Sequence, residues 1–159
     1  MSVAFTKEED SESQAAALPD RPISPHPNLV TPEGLAQLEA GLAAAQAAYA
    51  AAQAQGEIST DRTAMARATR DLRYFSARRA SAQLIETAAS AERVSFGAAV
   101  TLEREDGQAQ TWRIVGEDEA DPAHGSVSYI SPLAKAVLGK EIGDVVVVGG
   151  RELEVTSIG

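Results

Sequence analysis

No cysteine occurs in the 159 residues, which excludes a disulfide framework, a thiol nucleophile and a zinc–thiolate centre. Aromatic residues are scarce too, at 4%. Although 44% of the residues are hydrophobic, alanine supplies much of that fraction. A thin core and an elongated architecture are therefore expected rather than one large globule. No apolar run approaches the roughly 20 residues needed to span a bilayer. The opening "MSVAFTKEEDSES" also lacks the cationic start and apolar stretch of a signal peptide. A cytoplasmic protein of one or two small domains is expected.

Positive charge is in short supply overall, with a formal net charge of −9. Free duplex DNA is a poor partner for such a chain, because the phosphate backbone rewards a cationic footprint. The deficit is uneven. Lys and Arg stand against Asp and Glu at 2 to 5 in residues 1–30, 7 to 7 in 31–93 and 5 to 11 in 94–159. Residues 61–80 alone hold six arginines and two acids. Of these, Arg62, Arg67, Arg70 and Arg73 are candidates for contact with an anionic partner such as RNA, with Arg78 close by. The competing reading is a solvated face that balances the acidic remainder.

Residues 1–30 are polar and carry Pro19, Pro22, Pro25 and Pro27. A stretch such as "PDRPISPHP" can neither continue a helix nor enter a sheet interior, so a disordered or extended acidic arm is expected. His26 has no neighbours at ligand spacing and is expected in solvent. At "TPEGL" a helix starts, with Thr31 as cap, Pro32 in the first turn and Glu33 at the positive end of the helix dipole. Leu35, Leu38, Leu42, Ala45, Tyr49 and Ala52 then recur at heptad spacing. After a tight connection at "GEISTD", a second seam runs through Met65, Ala68, Leu72, Phe75, Arg79 and Ala82. Two such helices of matched length predict an antiparallel coiled-coil hairpin over 31–93, about 35 Å long at 1.5 Å per residue. Their pairing within one chain predicts a monomer.

Beyond residue 94 the periodicity changes from helical to alternating. "AAVTLERE" and "QAQTWRIVG" flank Asp106-Gly107, a strong two-residue hairpin signal. "SVSYI" reads as a third strand, and "VVVVGGRELEVTSI" as a second hairpin turning at Gly149-Gly150. Between them "SPLAKAVLG" reads as a short helix, with Ser131 as cap, Pro132 in the first turn and Gly139 ending it in a left-handed conformation. Leu133, Ala136 and Val137 would face a sheet while Lys135 and Lys140 stay wet. The fold class is α+β: a helical hairpin followed by a small antiparallel sheet of about five strands with one helix on it.

A long helical hairpin followed by this sheet domain resembles the bacterial Gre transcript-cleavage and elongation factors. The likeness is carried by "TPEGLAQLE", "VSFGAAVTLE", "IVGEDEAD" and "SPLAKAVLGKEIGDVVVV", and covers residues 31–159. It implies that 94–159 is an FKBP-like domain that docks on RNA polymerase at the rim of the secondary channel, with Ser131 and Pro132 at the contact. It implies that the hairpin enters the channel, and that the basic residues meet nascent RNA or acidic channel walls. The fold name carries no activity with it: an isomerase pocket needs an aromatic lining, and residues 94–159 offer only Phe96, Trp112 and Tyr129.

In Gre factors, acids at the hairpin tip help to hold a magnesium ion of the polymerase, a hard cation suited to carboxylate oxygens. The resemblance therefore makes Glu57 and Asp61 the candidate tip acids; the competing reading is that they only solvate the tip and cap the second helix. No cofactor or metal of the chain's own is implied, only Mg2+ in the polymerase active site. The tip departs from the family pattern, because Thr60 stands where the second acid belongs. Each arm is also about one heptad short, roughly 10 Å of reach. A polymerase-binding regulator of elongation with no active site of its own is expected. The alternatives are a true cleavage factor using Glu57 and Asp61, and a binder of another protein like the regulators of nucleoside diphosphate kinase.

Overall fold

Thr31 starts the first long helix in the way its chemistry suggests, its hydroxyl accepting the Gly34 N–H at 3.0 Å. The computed structural model describes residues 18–55, 62–86 and 90–159. In chain order these form β1 (Leu29–Val30), α1 (Pro32–Gln55), α2 (Arg62–Ser81), β2 (Gln83–Leu84), β3 (Ala99–Arg104), β4 (Ala109–Val115), a 3-10 turn (Pro122–His124), β5 (Ser126–Ser128), α3 (Pro132–Val137), β6 (Val145–Val148) and β7 (Arg151–Ile158). No helix among the described residues is long and apolar enough to cross a membrane. The described residues divide into a helical unit, up to Pro27 with Gln37–Ser81, and a sheet unit, Asn28–Ala36 with Ala82–Gly159.

In the helical unit α1 and α2 form the expected hairpin. Glu39 of α1 meets Arg79 of α2 at 3.1 Å, and Gly41 faces the ring of Phe75. One number rises as the other falls, so the helices run antiparallel. Every seam position named from the heptad spacing on α1, from Leu35 to Ala52, is buried or half-buried. The same holds from Met65 to Ala82 on the second seam. Both seams mix alanine with larger residues such as Leu38, Tyr49, Leu72 and Phe75. A buried leucine such as Leu38 contributes about 1.5–3 kcal/mol, and an alanine contributes much less. Gly41 fits this narrow spacing, because a Cβ there would lie 2.5–2.9 Å from the Phe75 ring atoms.

The sheet unit is built on the strand order β5-β4-β3-β7-β6. The β3–β4 hairpin turns at Asp106-Gly107, with Gly107 at φ +82°. The β6–β7 hairpin turns at Gly149 and Gly150, both with positive φ, as a tight primed turn requires. One expectation is corrected. The sheet is mostly but not wholly antiparallel, because β5 runs parallel to β4, Ile114 opposite Val127. The connection from β4 to β5 is a loop with the 3-10 turn rather than a tight hairpin, which allows the strand direction to repeat. Val100, Leu102, Ile114, Val127, Val146, Val155 and Ile158 fill the core together with Ala134 and Val137 of α3.

A second, two-stranded sheet has no counterpart in the sequence reading. β1 pairs in parallel with β2, Leu29 opposite Gln83 and Val30 opposite Leu84. The Gln83 N–H donates to the Asn28 carbonyl at 2.8 Å, and the Ile85 N–H to that of Val30 at 2.9 Å. Gly116, just after β4, approaches the Leu29 carbonyl so closely that any side chain would collide with it.

Candidate functional site

The corner at Ser131 and Pro132 is held from several directions. Ser131 sits in the extended region at φ −64°, ψ 153°, and its hydroxyl accepts the Ala134 N–H at 3.2 Å. Its carbonyl accepts the Lys135 N–H, and its own N–H donates to the Ser128 carbonyl, both at 2.9 Å. Proline fits the next position because a first-turn N–H has no helical partner. Beneath the corner Ala134 and Val137 are fully buried, with Leu133, Ala136 and Leu138 packed against the core. Lys135 and Lys140 are exposed. Gly139 has φ +81°, as expected, and its N–H donates to the Val94 carbonyl at 2.8 Å. Pro132 thus projects into solvent from a backbone with little freedom to move. Phe96 and Tyr129 pack edge to face at 5.8 Å as part of the core margin.

On α2 the candidate arginines divide. Arg62 and Arg67 are exposed. Arg70 is half-buried, and its Nε lies 3.9 Å from Asp71. Arg73 is exposed and meets Asp20 of the N-terminal arm at 3.1 Å. Arg78 is buried, at 2% exposure, which removes it from any solvent-facing surface. At about 100° per residue, Arg62 and Arg73 project in nearly the same direction, and Arg70 follows some 60° around from Arg73. The candidate tip residues Glu57, Thr60 and Asp61 lie outside the described residues.

Two groupings escaped the sequence reading. Arg21 of the arm pairs with Asp71 at 3.3 Å, and its guanidinium lies 3.8 Å from the centre of the Tyr74 ring. The second grouping lies in the sheet unit. Arg113 of β4 donates to Glu33 at 3.0 Å and stands 3.5 Å from Glu119. Its Nε donates to the Gly97 carbonyl at 3.3 Å. Glu119 in turn accepts the Thr31 hydroxyl. The Glu33 carboxyl is held below its ordinary range by its own backbone N–H, then by hydrogen bonding and attraction to Arg113, with a smaller contribution from Thr31. Thr31 and Glu33 were legible as helix-start residues. Their partners eighty-odd residues away left no local signal.

The C-terminal model of the GreA/GreB transcription elongation factors matches residues 89–159. Across 92 residues the chain is 44% identical to transcription elongation factor GreA of Desulfovibrio desulfuricans, covering 57% of this chain and 56% of that protein. It is 36% identical over 109 residues to transcription elongation factor GreB of Neisseria meningitidis serogroup B, covering 65% and 67%. The crystal structure of GreA factor homolog 1 from Thermus thermophilus aligns over 84% of this chain and 99% of that one, with 24% identity and a TM-score of 0.41. The chain belongs to the GreA/GreB family. The chain spans about half the length of some relatives it matches, 56% of the Desulfovibrio desulfuricans protein and 51% of transcription elongation factor GreA of Anaeromyxobacter sp..

Proposed function

We propose that this protein binds bacterial RNA polymerase at the secondary channel through its sheet unit, with Ser131 and Pro132 at the contact, and modulates transcript elongation. The observation that carries this reading is the coincidence of the family match over residues 89–159 with a rigid, solvent-projecting Ser131–Pro132 corner. A fixed corner loses little conformational freedom on docking, so its contacts convert efficiently into affinity. The hairpin then enters the channel, and Arg62, Arg67, Arg70 and Arg73 supply cationic contacts to nascent RNA. The protein has no catalytic centre of its own, and the magnesium ions belong to the polymerase.

The test is competition with a labelled copy of the protein for RNA polymerase. Ser131→Glu combined with Pro132→Ala weakens that competition at least tenfold. Undiminished binding by the double variant would move the interface elsewhere.

The altered tip favours occupancy of the channel without stimulated cleavage. A metal–oxygen distance is at most about 2.6 Å, so a carboxylate that falls short by a heptad contributes nothing. In a backtracked complex with magnesium, the protein slows elongation and leaves the RNA 3′ end intact. Strong cleavage that disappears on Glu57→Ala and Asp61→Ala would establish the cleavage-factor reading instead.

A further inference from the structure

Asp20 and Arg21 stand between Pro19 and Pro22 in the arm. Each proline fixes its own φ, and Pro22 also disfavours a helical conformation at Arg21, so the dipeptide is presented in extended form before it meets anything. On α2 it meets two residues of opposite sign, paired in reverse chain order. Asp20 pairs with Arg73 at 3.1 Å, and Arg21 pairs with Asp71 at 3.3 Å. The planar guanidinium of Arg21 also covers the face of Tyr74 at 3.8 Å, with the Phe75 ring at 5.3 Å.

The arm thereby places an oxyanion on an arginine and a flat group on an aromatic ring. Those are the two contacts by which proteins hold single-stranded nucleic acid: a phosphate on a guanidinium and a base on a ring. Asp20 and Arg73 are each about two-thirds exposed. Such a pair is weak and salt-screened, so it exchanges readily for another anion.

We infer that residues 18–27 form a displaceable strap that occupies this part of α2 within the same chain and competes with RNA for Arg73 and Tyr74. This inference rests on the reading that the α2 arginines meet RNA, and adds its regulation. If the strap is closed about nine-tenths of the time, the apparent affinity for RNA falls about tenfold.

The full chain is compared with its Asp20→Lys, Arg21→Asp double variant, which keeps length and net charge but sets like charges opposite Arg73 and Asp71. The changed residues lie in a segment without helix or strand, and an unchanged thermal melt verifies that the hairpin is intact. Binding of a fluorescent oligouridine is measured over a range of salt. The variant is expected to bind about three- to tenfold tighter, with a log–log salt slope steeper by about 0.7, one added phosphate contact. In the wild-type protein, the Arg21 side-chain proton resonances are expected upfield, in the Tyr74 ring current, and oligouridine is expected to return them to their unshifted positions. Equal affinity and slope in both proteins, or bound RNA that leaves the Arg21 resonances in place, would overturn the strap while preserving the RNA contact. Absence of RNA binding by either protein would overturn the RNA reading and the strap together.

Discussion

Glu33, in the first turn of α1, accepts a hydrogen bond from Arg113 of β4 at 3.0 Å, joining residues eighty positions apart within the sheet unit. Because the Glu33 carboxyl is held below its ordinary value of 4.5, its charged form is favoured by folding. The resulting stability is fully present above that value and is lost as the pH falls through the lower, folded-state value. Urea unfolding of wild type and Glu33→Gln should therefore differ at pH 7 and converge in acid, below the folded-state value. A difference that persists unchanged there would assign the effect to packing rather than charge.

Gly41→Ala distinguishes helix propensity from packing by the sign of its effect. In an open helix the change stabilises by roughly 1 kcal/mol. Here the new methyl meets the Phe75 ring, and overpacking of this kind costs about 1–3 kcal/mol. Destabilisation is expected, and Phe75→Leu should relieve part of it in the double variant.

Ile114 is fully buried at the centre of the sheet core. Ile114→Ala should cost about 2–5 kcal/mol through lost burial and the cavity left behind. The thermal midpoint records the loss directly.

Ser131 combines a structural role with the proposed docking role, and two substitutions separate them. Ser131→Ala removes the cap and should cost about 0.5–2 kcal/mol. Ser131→Asp keeps a good cap residue but places a charge at the corner. It should preserve the melting temperature while lowering affinity for the polymerase.

The alanine-rich seams are adequate for two tethered helices and weak as a dimer interface, since buried area per layer is small. Light scattering at micromolar concentration should return the chain mass of 16.6 kDa. Twice that mass would transfer the seams to an intermolecular pairing.

Where structure was set by neighbours in the chain, the sequence was informative. Leu38, Ala45 and Ala68 lie in buried seam positions because heptad spacing is a local code. Gly107 and Gly139 take left-handed conformations that turn and helix-end chemistry anticipates. The Ser131 cap was legible for the same reason. What stayed hidden depended on distant partners. β1 and β2 have two residues each, too short to show alternation, and they pair across the whole hairpin. The parallel direction of β5 depends on the path of a loop, which periodicity does not encode. Arg113 looked like any polar strand residue until Glu33 and Glu119 came to its side. Arg78 had the composition of a surface residue and proved buried.

The pairing of β1 with β2 makes the hairpin a removable cassette. The chain enters α1 from Val30 and leaves α2 toward Gln83, and those two points are already joined by backbone hydrogen bonds within the sheet unit. Whatever lies between them begins and ends at one fixed gate. Arms of another length, shortened or extended by equal whole heptads, could be exchanged there without disturbing the strands that anchor them. Divergence in hairpin length and tip sequence can then proceed separately from the sheet unit.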